Sequence, residues 1–144
     1  NYNDQILRET LWNSKALSSD VTAAMNPVYK SVHDIENVAR LSYGLAFAKY
    51  TGSRGKSMAN DADAEFIQEI RQIFDKNEIK YQSGGFGKVD EGGGGTVAKF
   101  LAYYGIRTID AGPALLSMHS LFEISSKADL YETYRAYKVF FELN

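Results

Sequence analysis

The sequence of 144 residues contains no cysteine, no long apolar run and no block of like charge. Without cysteine there is no disulfide framework and no thiolate metal site, so any metal would have to be bound by His, Asp or Glu. This composition also fits a cytoplasmic protein. No apolar run approaches the roughly 20 residues that span a bilayer, which predicts no membrane segment. The formal net charge of −2, spread without long runs, argues against a nucleic-acid partner.

The composition is that of a folded domain. Hydrophobic residues make up 44% of the chain, which is enough for one domain with its own core. The chain begins on Asn1 rather than Met, and an amphipathic helix is already predicted for Asp4–Trp12. We therefore expect residues 1–144 to be one domain-sized part of a longer protein, without an internal repeat or linker.

Apolar periodicity predicts an alternation of strands and helices. Short apolar runs bounded by polar or turn residues predict strands at residues 16–21, 43–50, 79–82 and 106–110. Helical spacing predicts helices at about residues 61–76, at 96–104 and from about 127 to the end. This alternation predicts an α/β fold, a layered mixed sheet flanked by helices, with functional residues in loops at the strand ends.

Side chains near the predicted helix ends indicate where the helices start and stop. Asn60 or Asp61 is predicted to cap one helix, Gly105 to end the next, and Ser126 with Asp129 to form a capping-box pair. The apolar positions expected on helix faces are Phe66, Ile70, Ile73 and Phe74, then Val97, Phe100, Leu101 and Tyr104. A last stripe, predicted to be core or a subunit contact, is Leu130, Tyr134, Tyr137 and Phe141.

Two side chains are candidate metal ligands. His119 lies in a loop after a predicted strand, where an imidazole can bind zinc, although a surface or structural histidine is the alternative. Asp20 ends an apolar strand, where a carboxylate needs a partner, although capping a nearby turn is the alternative. The two residues are distant in sequence, so only the fold can bring them together. His33 has no partner in the sequence pattern and is treated as structural or of unknown role.

Two glycine-containing segments are candidate ligand loops. Residues 92–96 precede a predicted helix, and glycines there let backbone amides approach an anionic group, although a flexible loop is the alternative. Residues 55–57 have the ending of a phosphate-binding P-loop. That motif needs a glycine five residues before Gly55, where Tyr50 stands, so the sequence argues against nucleotide binding at this segment.

Together these segments resemble the aspartyl aminopeptidase and aminopeptidase I family of dinuclear zinc metallo-aminopeptidases, in the right order over nearly the whole chain. The matching segments are residues 18–21 with Asn26-Pro27, 49–56, 92–96, 116–120 with Glu123, and 126–129.

The resemblance implies a peptidase that removes single residues from peptide N-termini with a water activated by two zinc ions, Mn²⁺ or Co²⁺ being possible substitutes. It implies that Asp20 and His119 are metal ligands. The fold implied is the C-terminal part of a zinc-peptidase (phosphorylase/hydrolase-like) catalytic domain, in a tetrahedral homo-dodecamer. Ser19 stands where the family usually has alanine, and residues 121–122 also depart from its pattern, so the preferred substrate side chain stays open.

The resemblance also implies roles around the metals. Lys49, Gly94, Gly95 and Thr96 are expected to line the substrate site, and Glu123 to orient the His119 loop or lie in its second shell. The remaining ligands, the general-base glutamate and the assembly subdomain are expected upstream, so no catalytic base is assigned here. Two ligands cannot close a zinc site, so the isolated chain is predicted to be inactive. The alternative is a non-catalytic α/β interaction module that retains the peptidase fold.

Overall fold

The computed structural model describes residues 2–53, 57–85, 87–88, 91 and 93–142. Within those ranges no helix combines the length and the apolar character that crossing a bilayer requires. The elements in chain order are α1 Asp4–Trp12, β1 Lys15–Ser18, β2 Thr22–Ala23, a 3₁₀ turn Lys30–Val32, β3 Leu45–Ala48, β4 Tyr50–Ser53, β5 Ser57–Asp61, α2 Ala64–Lys76, β6 Tyr81–Ser83, α3 Ala98–Tyr103, β7 Arg107–Gly112, β8 Ala114–Leu116, β9 Ile124–Ser125 and α4 Lys127–Phe141.

The central sheet is mixed, as the sequence predicts. Its strand order is β1-β7-β3-β6, with β7 parallel to β1 and antiparallel to β3, and β3 parallel to β6. Two smaller sheets have the orders β2-β8-β9 and β4-β5. In the β1–β7 pair and in the β2–β8 pair, the two residues that face each other are separated by the same number of positions in the sequence. These four strands therefore form one paired ribbon that passes from the central sheet into a smaller one.

The core lies between the central sheet and helices α2 and α4. Phe66, Ile70 and Phe74 of α2 are buried against Leu45 and Ile109 of the sheet. Burying each such side chain contributes roughly 1.5–3 kcal/mol, so this face anchors α2. The predicted apolar face of α2 is confirmed. Its remaining member, Ile73, is only half-buried, at the margin of the cluster.

The predicted caps of α2 are wrong by two or three residues. Asn60 and Asp61 pair with β4 as part of β5, so the chain is still extended at the point where the helix was expected to begin. Asp63 is the N-cap, and its Oδ1 accepts the backbone N–H of Phe66 at 2.8 Å. Its carboxylate also accepts two hydrogen bonds from Arg107, at 2.8 and 3.2 Å. One side chain therefore starts α2 and ties it to β7.

Replacing Asp63 with alanine is expected to lower the free energy of unfolding by about 1 kcal/mol, the usual cost of losing an N-cap. The hydrogen bonds from Arg107 lower the pKa of Asp63 below its ordinary value of 3.8. Because the folded pKa is the lower one, this pair stabilises the chain fully above that ordinary value, and the contribution is lost as the pH falls through the folded pKa. Urea unfolding from pH 7 down to pH 3 measures both effects. Asp63→Asn, which can still cap, should lose the pH-dependent part and keep most of the rest.

The N-terminus of α4 is only partly as predicted. Ser126 is the N-cap, accepting the N–H of Ala128, which confirms that prediction. Asp129 does not complete a capping box. Its fully buried carboxylate accepts the backbone N–H groups of Gly44 and Ser42, at 2.7 and 2.8 Å. It therefore joins the start of α4 to the turn that leads into β3.

Two predicted apolar faces are exposed in the structure. Of the α4 stripe only Tyr137 packs against the core, so a core role is wrong for the others, while a subunit contact stays a prediction. The fully buried residues of α4 are instead small or polar, Asp129, Thr133 and Ala136, with Tyr137, Val139 and Phe140 half-buried against the core. Within α3, Ala98–Tyr103, Ala98 is the one buried residue. The exposed members of the two predicted faces are Leu130, Tyr134 and Phe141, and Val97, Phe100 and Tyr104.

Gly105 ends α3 as predicted. Its φ of +84° lies in the left-handed region that glycine adopts without strain. A β-carbon there would stand 3.0 Å from Cε3 of Trp12, so the absence of a side chain also lets the end of α1 approach.

Candidate metal and substrate site

Asp20 lies in the short break between β1 and β2. The predicted strand ran to residue 21, but β1 ends at Ser18, so Asp20 lies beyond the strand. Its side chain is exposed, and Oδ1 accepts the N–H of Val21 at 2.8 Å. The ribbon register sets this break opposite Gly112, where an added β-carbon would stand 2.1 Å from the carbonyl oxygen of Asp20. Only glycine permits so close an approach. Sequence reasoning did not identify Gly112 as a residue that positions the candidate ligand.

His119 lies in a tight loop between β8 and β9. Ser117 and His119 have φ values of +60° and +66°, a conformation that costs non-glycine residues of order 1–3 kcal/mol each. The loop is closed by a hydrogen bond from the N–H of Ser120 to the carbonyl of Ser117 at 3.0 Å. Glu123 adds a second constraint, since its Oε1 accepts the N–H of His119 at 2.5 Å. A strained backbone persists only where neighbouring contacts stabilise it. Here the bond from Ser120 and the carboxylate of Glu123 stabilise the loop, and the His119 imidazole that it carries is exposed.

Asp20 and His119 stand near opposite ends of the β2–β8 ladder. Asp20 precedes β2, and His119 follows the last residue of β8, Leu116, by three positions. In the part of the chain that the structure describes, no group of three or more His, Asp or Glu side chains is arranged to hold a metal ion. The chain therefore presents one carboxylate and one imidazole, donors that suit zinc in kind and are too few to enclose it. Ligation by both residues stays a prediction.

Lys49 stands between β3 and β4 with an exposed ammonium group. It forms an ion pair with Asp61 across the β4–β5 hairpin, and its carbonyl accepts the N–H of Ala62. About half of the Lys49 side chain is exposed, so the pair is screened by water and contributes little to stability. Lys49 therefore remains reachable for an anionic or carbonyl group of a substrate.

The glycine segment is described from Gly93 onward, and Gly92 lies outside the described residues. Gly93 has a φ of +120°, which requires glycine. A β-carbon on Gly94 would meet no atom of the described chain within 4 Å, and one on Gly95 only the Lys99 ammonium at 3.5 Å. Packing within the described chain therefore does not require glycine at 94 or 95, which leaves both available for contacts with a substrate.

Thr96, by contrast, faces the interior. Its hydroxyl donates to Oδ2 of Asp110 at 2.8 Å and accepts the N–H of Ala98 at 3.3 Å. The residue is buried, so its hydroxyl holds the glycine segment to the sheet. Ser18 donates to the other carboxylate oxygen of Asp110 at 2.5 Å. Asp110 was taken only as the end of a strand in the sequence, although a carboxylate after an apolar run signals a buried partner.

Burial raises the pKa of the Asp110 carboxyl, and the nearby Asp20 carboxylate raises it further, while the hydroxyls of Ser18 and Thr96 oppose the rise. A second group beside this segment behaves similarly. Burial raises the pKa of Tyr137 to about 12, and Asp20 adds to that effect. The Tyr137 hydroxyl, which donates to the carbonyl of Ala111, is therefore neutral at physiological pH.

The contacts that the structure shows for His33 are structural. The ring is buried, and Nε2 accepts the N–H of Asn26 at 3.1 Å. Asn26 in turn closes the predicted turn, since its Oδ1 accepts the N–H groups of Val28 and Tyr29. This contact holds the loop after β2 and places His33 in no metal-binding group of the described chain.

The fold is that of an α/β protein with a mixed central sheet flanked by helices. The structure superposes on the M18-family aminopeptidase of Thermotoga maritima with a TM-score of 0.92 and 53% identity, covering 96% of this chain and 31% of that one. For aminopeptidase I of Clostridium acetobutylicum the TM-score is 0.88, with 54% identity over 93% of this chain and 29% of that one.

The sequence comparisons agree with the fold. The family model for aminopeptidase I zinc metalloprotease (M18) matches residues 2–141, and the chain belongs to this family. A probable M18 family aminopeptidase 1 of Borreliella afzelii is 60% identical over 141 residues, which are 98% of this chain and 31% of that protein. The chain thus spans about a third of the length of the curated relatives it matches.

Proposed function

We propose that residues 1–144 are the C-terminal portion of the catalytic domain of a zinc aminopeptidase, which releases the N-terminal residue of peptides. The observation that carries this proposal is the family match over residues 2–141, together with the exposed Asp20 and His119 at the loops that leave β1 and β8. Because the chain spans about a third of its relatives, the upstream part would supply the other ligands, the general-base glutamate and the assembly subdomain.

The residues of this chain would act by binding and orienting. Asp20 and His119 would hold zinc, one from each end of the β2–β8 ladder, and Glu123 and Gly112 would fix the backbone on which these ligands stand. Two bound zinc ions, or Mn²⁺ or Co²⁺ in their place, would supply Lewis-acid polarisation of the scissile carbonyl and an activated water. Lys49, Gly94 and Gly95 would contact the peptide, and Thr96 would hold their loop in place.

We also propose a homo-oligomer in the cytoplasm. A solved structure of S. cerevisiae mApe1, similar in fold at 24% identity and a TM-score of 0.73, is of a dodecamer. For this chain, the exposed aromatic stripe of α4 supports burial against another subunit, because a contiguous apolar surface favours association.

The test compares the intact protein, meaning the longer chain that we propose carries residues 1–144, with the isolated 144 residues. The intact protein is expected to release N-terminal residues from a panel of peptides and to lose this activity on chelation, with zinc restoring it. N-terminally acetylated versions of the same peptides are the matched control and should stay uncut. The isolated chain should bind zinc weakly and show no turnover, because two ligands cannot enclose the ion.

Two outcomes would contradict the proposal. Turnover by the isolated chain would show that the site is complete within these residues. An intact protein that folds and cuts no peptide after zinc is supplied would favour the alternative, a non-catalytic α/β interaction module with the peptidase fold. Upstream polar residues in place of the His, Asp and Glu expected there would support that second reading.

A further inference from the structure

Asp110 occupies a junction of the sheet rather than an end of it. It lies in β7, where its register partners are Ser18 of β1 on one side and Ala48 of β3 on the other. The residue is only 3% exposed, and each carboxylate oxygen accepts one hydroxyl, from Ser18 and from Thr96. A buried carboxylate with both oxygens bonded is costly to remove, because its donors would be left without acceptors.

Each neighbour of Asp110 leads to a different candidate functional segment. Ser18 stands two residues before Asp20, and Ala48 stands one residue before Lys49. Thr96 belongs to the glycine segment. β7 itself continues through Gly112 and β8 to the loop of His119. The carboxylate of Asp110 therefore bonds the strand that leads to Asp20 and the glycine segment, while the backbone of β7 pairs with the strand that leads to Lys49.

We propose that Asp110 is the positioning residue that holds the Asp20 break and the glycine segment in their relative places for peptide hydrolysis. The expected effect of Asp110 on the reaction rests on the proposed function. The linkage of the segments through Asp110 rests on the hydrogen bonds alone. It differs from generic core packing because the contacts are two directed hydroxyl bonds. Another acceptor of similar shape can replace them in part, and a methyl group cannot.

The experiment is made in the intact protein with Asp110→Ala, Asp110→Asn and Thr96→Val. Amide hydrogen exchange is expected to rise together in residues 16–22 and 93–98 of Asp110→Ala, and less in Asp110→Asn, whose amide still offers an acceptor. The kcat of Asp110→Ala should fall about 10²-fold with little change in KM, since misplacement of catalytic groups by about 1 Å costs that much. Asp110→Asn should recover a large part of this loss. Thr96→Val, the mildest change, should loosen residues 93–98 alone.

Asp129→Ala is the matched control, because Asp129 is also a buried carboxylate with two hydrogen-bond donors and contacts none of these segments. It should destabilise the protein, raise exchange around residues 42–45 and leave the kcat of the folded protein unchanged. Equal loss of kcat in Asp129→Ala and Asp110→Ala, or full kcat in Asp110→Ala, would overturn the inference.

The hydrogen-exchange arm keeps this inference separate from the proposed function. If the unaltered protein cuts no peptide, the aminopeptidase proposal fails, and exchange alone decides the linkage. Joint loosening of the two segments in Asp110→Ala would then support the positioning role. Exchange that rises only around residue 110 would overturn it, and if Asp110→Ala does not fold, the response of Thr96→Val decides.

Discussion

Replacing Asp20 with asparagine in the intact protein is expected to lower kcat/KM for peptide hydrolysis by at least about 10³-fold, because a ligand contributes to several kcal/mol of transition-state stabilisation. Asparagine keeps the size of the side chain, and its amide oxygen can still accept the N–H of Val21 as Oδ1 of Asp20 does. Only the charge and the second carboxylate oxygen are lost. The substitution therefore separates a metal ligand from a residue that merely caps the local turn.

Zinc content per subunit, measured on the same samples, should fall with the activity of Asp20→Asn. The control is Asp4→Asn, which alters another exposed carboxylate, in the first turn of α1. That variant should keep both the activity and the zinc. Wild-type kcat/KM in Asp20→Asn would mean that the capping role is the whole role of Asp20, and the assignment of this residue as a ligand would be wrong.

Asp129→Ala is expected to lower the free energy of unfolding by about 3 to 6 kcal/mol, since each of its two hydrogen bonds to a charged group contributes about 1.5–3 kcal/mol. The carboxylate accepts two backbone N–H groups, from Ser42 and Gly44, and it is fully buried. Without it, both donors are left in the interior with no acceptor. Gly44 adds to the effect, because a β-carbon there would stand 2.1 Å from the carbonyl oxygen of Lys80, so this turn cannot easily move aside.

Urea unfolding, monitored by circular dichroism, measures the decrease in the free energy of unfolding. Asp129→Asn should cost nearly as much as Asp129→Ala, because its NH₂ group would face a backbone N–H where a carboxylate oxygen stood. Asp75→Ala, which removes an exposed carboxylate that accepts the Tyr81 hydroxyl, should change the free energy of unfolding by much less. A loss below about 1 kcal/mol in Asp129→Ala would mean that water reaches the freed N–H groups.

Local sequence signals predicted the positions of the helices well, and predicted the tertiary contacts of the residues at their ends poorly. The α1 bounds, the apolar face of α2 and the stop at Gly105 depend on residues within a turn or two of one another. The start of α2 was misplaced because Asn60 and Asp61 are good caps by type, and only pairing with β4 keeps them extended. The capping-box prediction for Asp129 failed in the same way, since its true donors lie 85 and 87 positions away.

The candidate site depended on resemblance more than on pattern. Their positions at predicted strand exits made Asp20 and His119 candidates with bland alternatives open, and only the family motif favoured the ligand role over those alternatives. Asp110 and Gly112 escaped notice, because their importance lies in what they touch. A carboxylate bonded to a serine 92 positions away, or a glycine whose missing β-carbon admits a distant carbonyl, leaves no local signature. Helical spacing likewise could not tell that the aromatic side of α4 faces outward.

The ribbon register also has a consequence for the order of events during synthesis. Within the described residues β1 lies at one edge of the central sheet and pairs with β7, and the bond from Ser18 to Asp110 closes a gap of 92 positions. A ribosome adds about 5 to 20 residues per second, so β1 waits roughly 5 to 20 s before its partner strand has been made. During that interval the strand is open to pairing with neighbouring nascent chains. The alignment of Asp20 with Gly112, which follows the same register, therefore cannot form before the chain has been made as far as the end of β7.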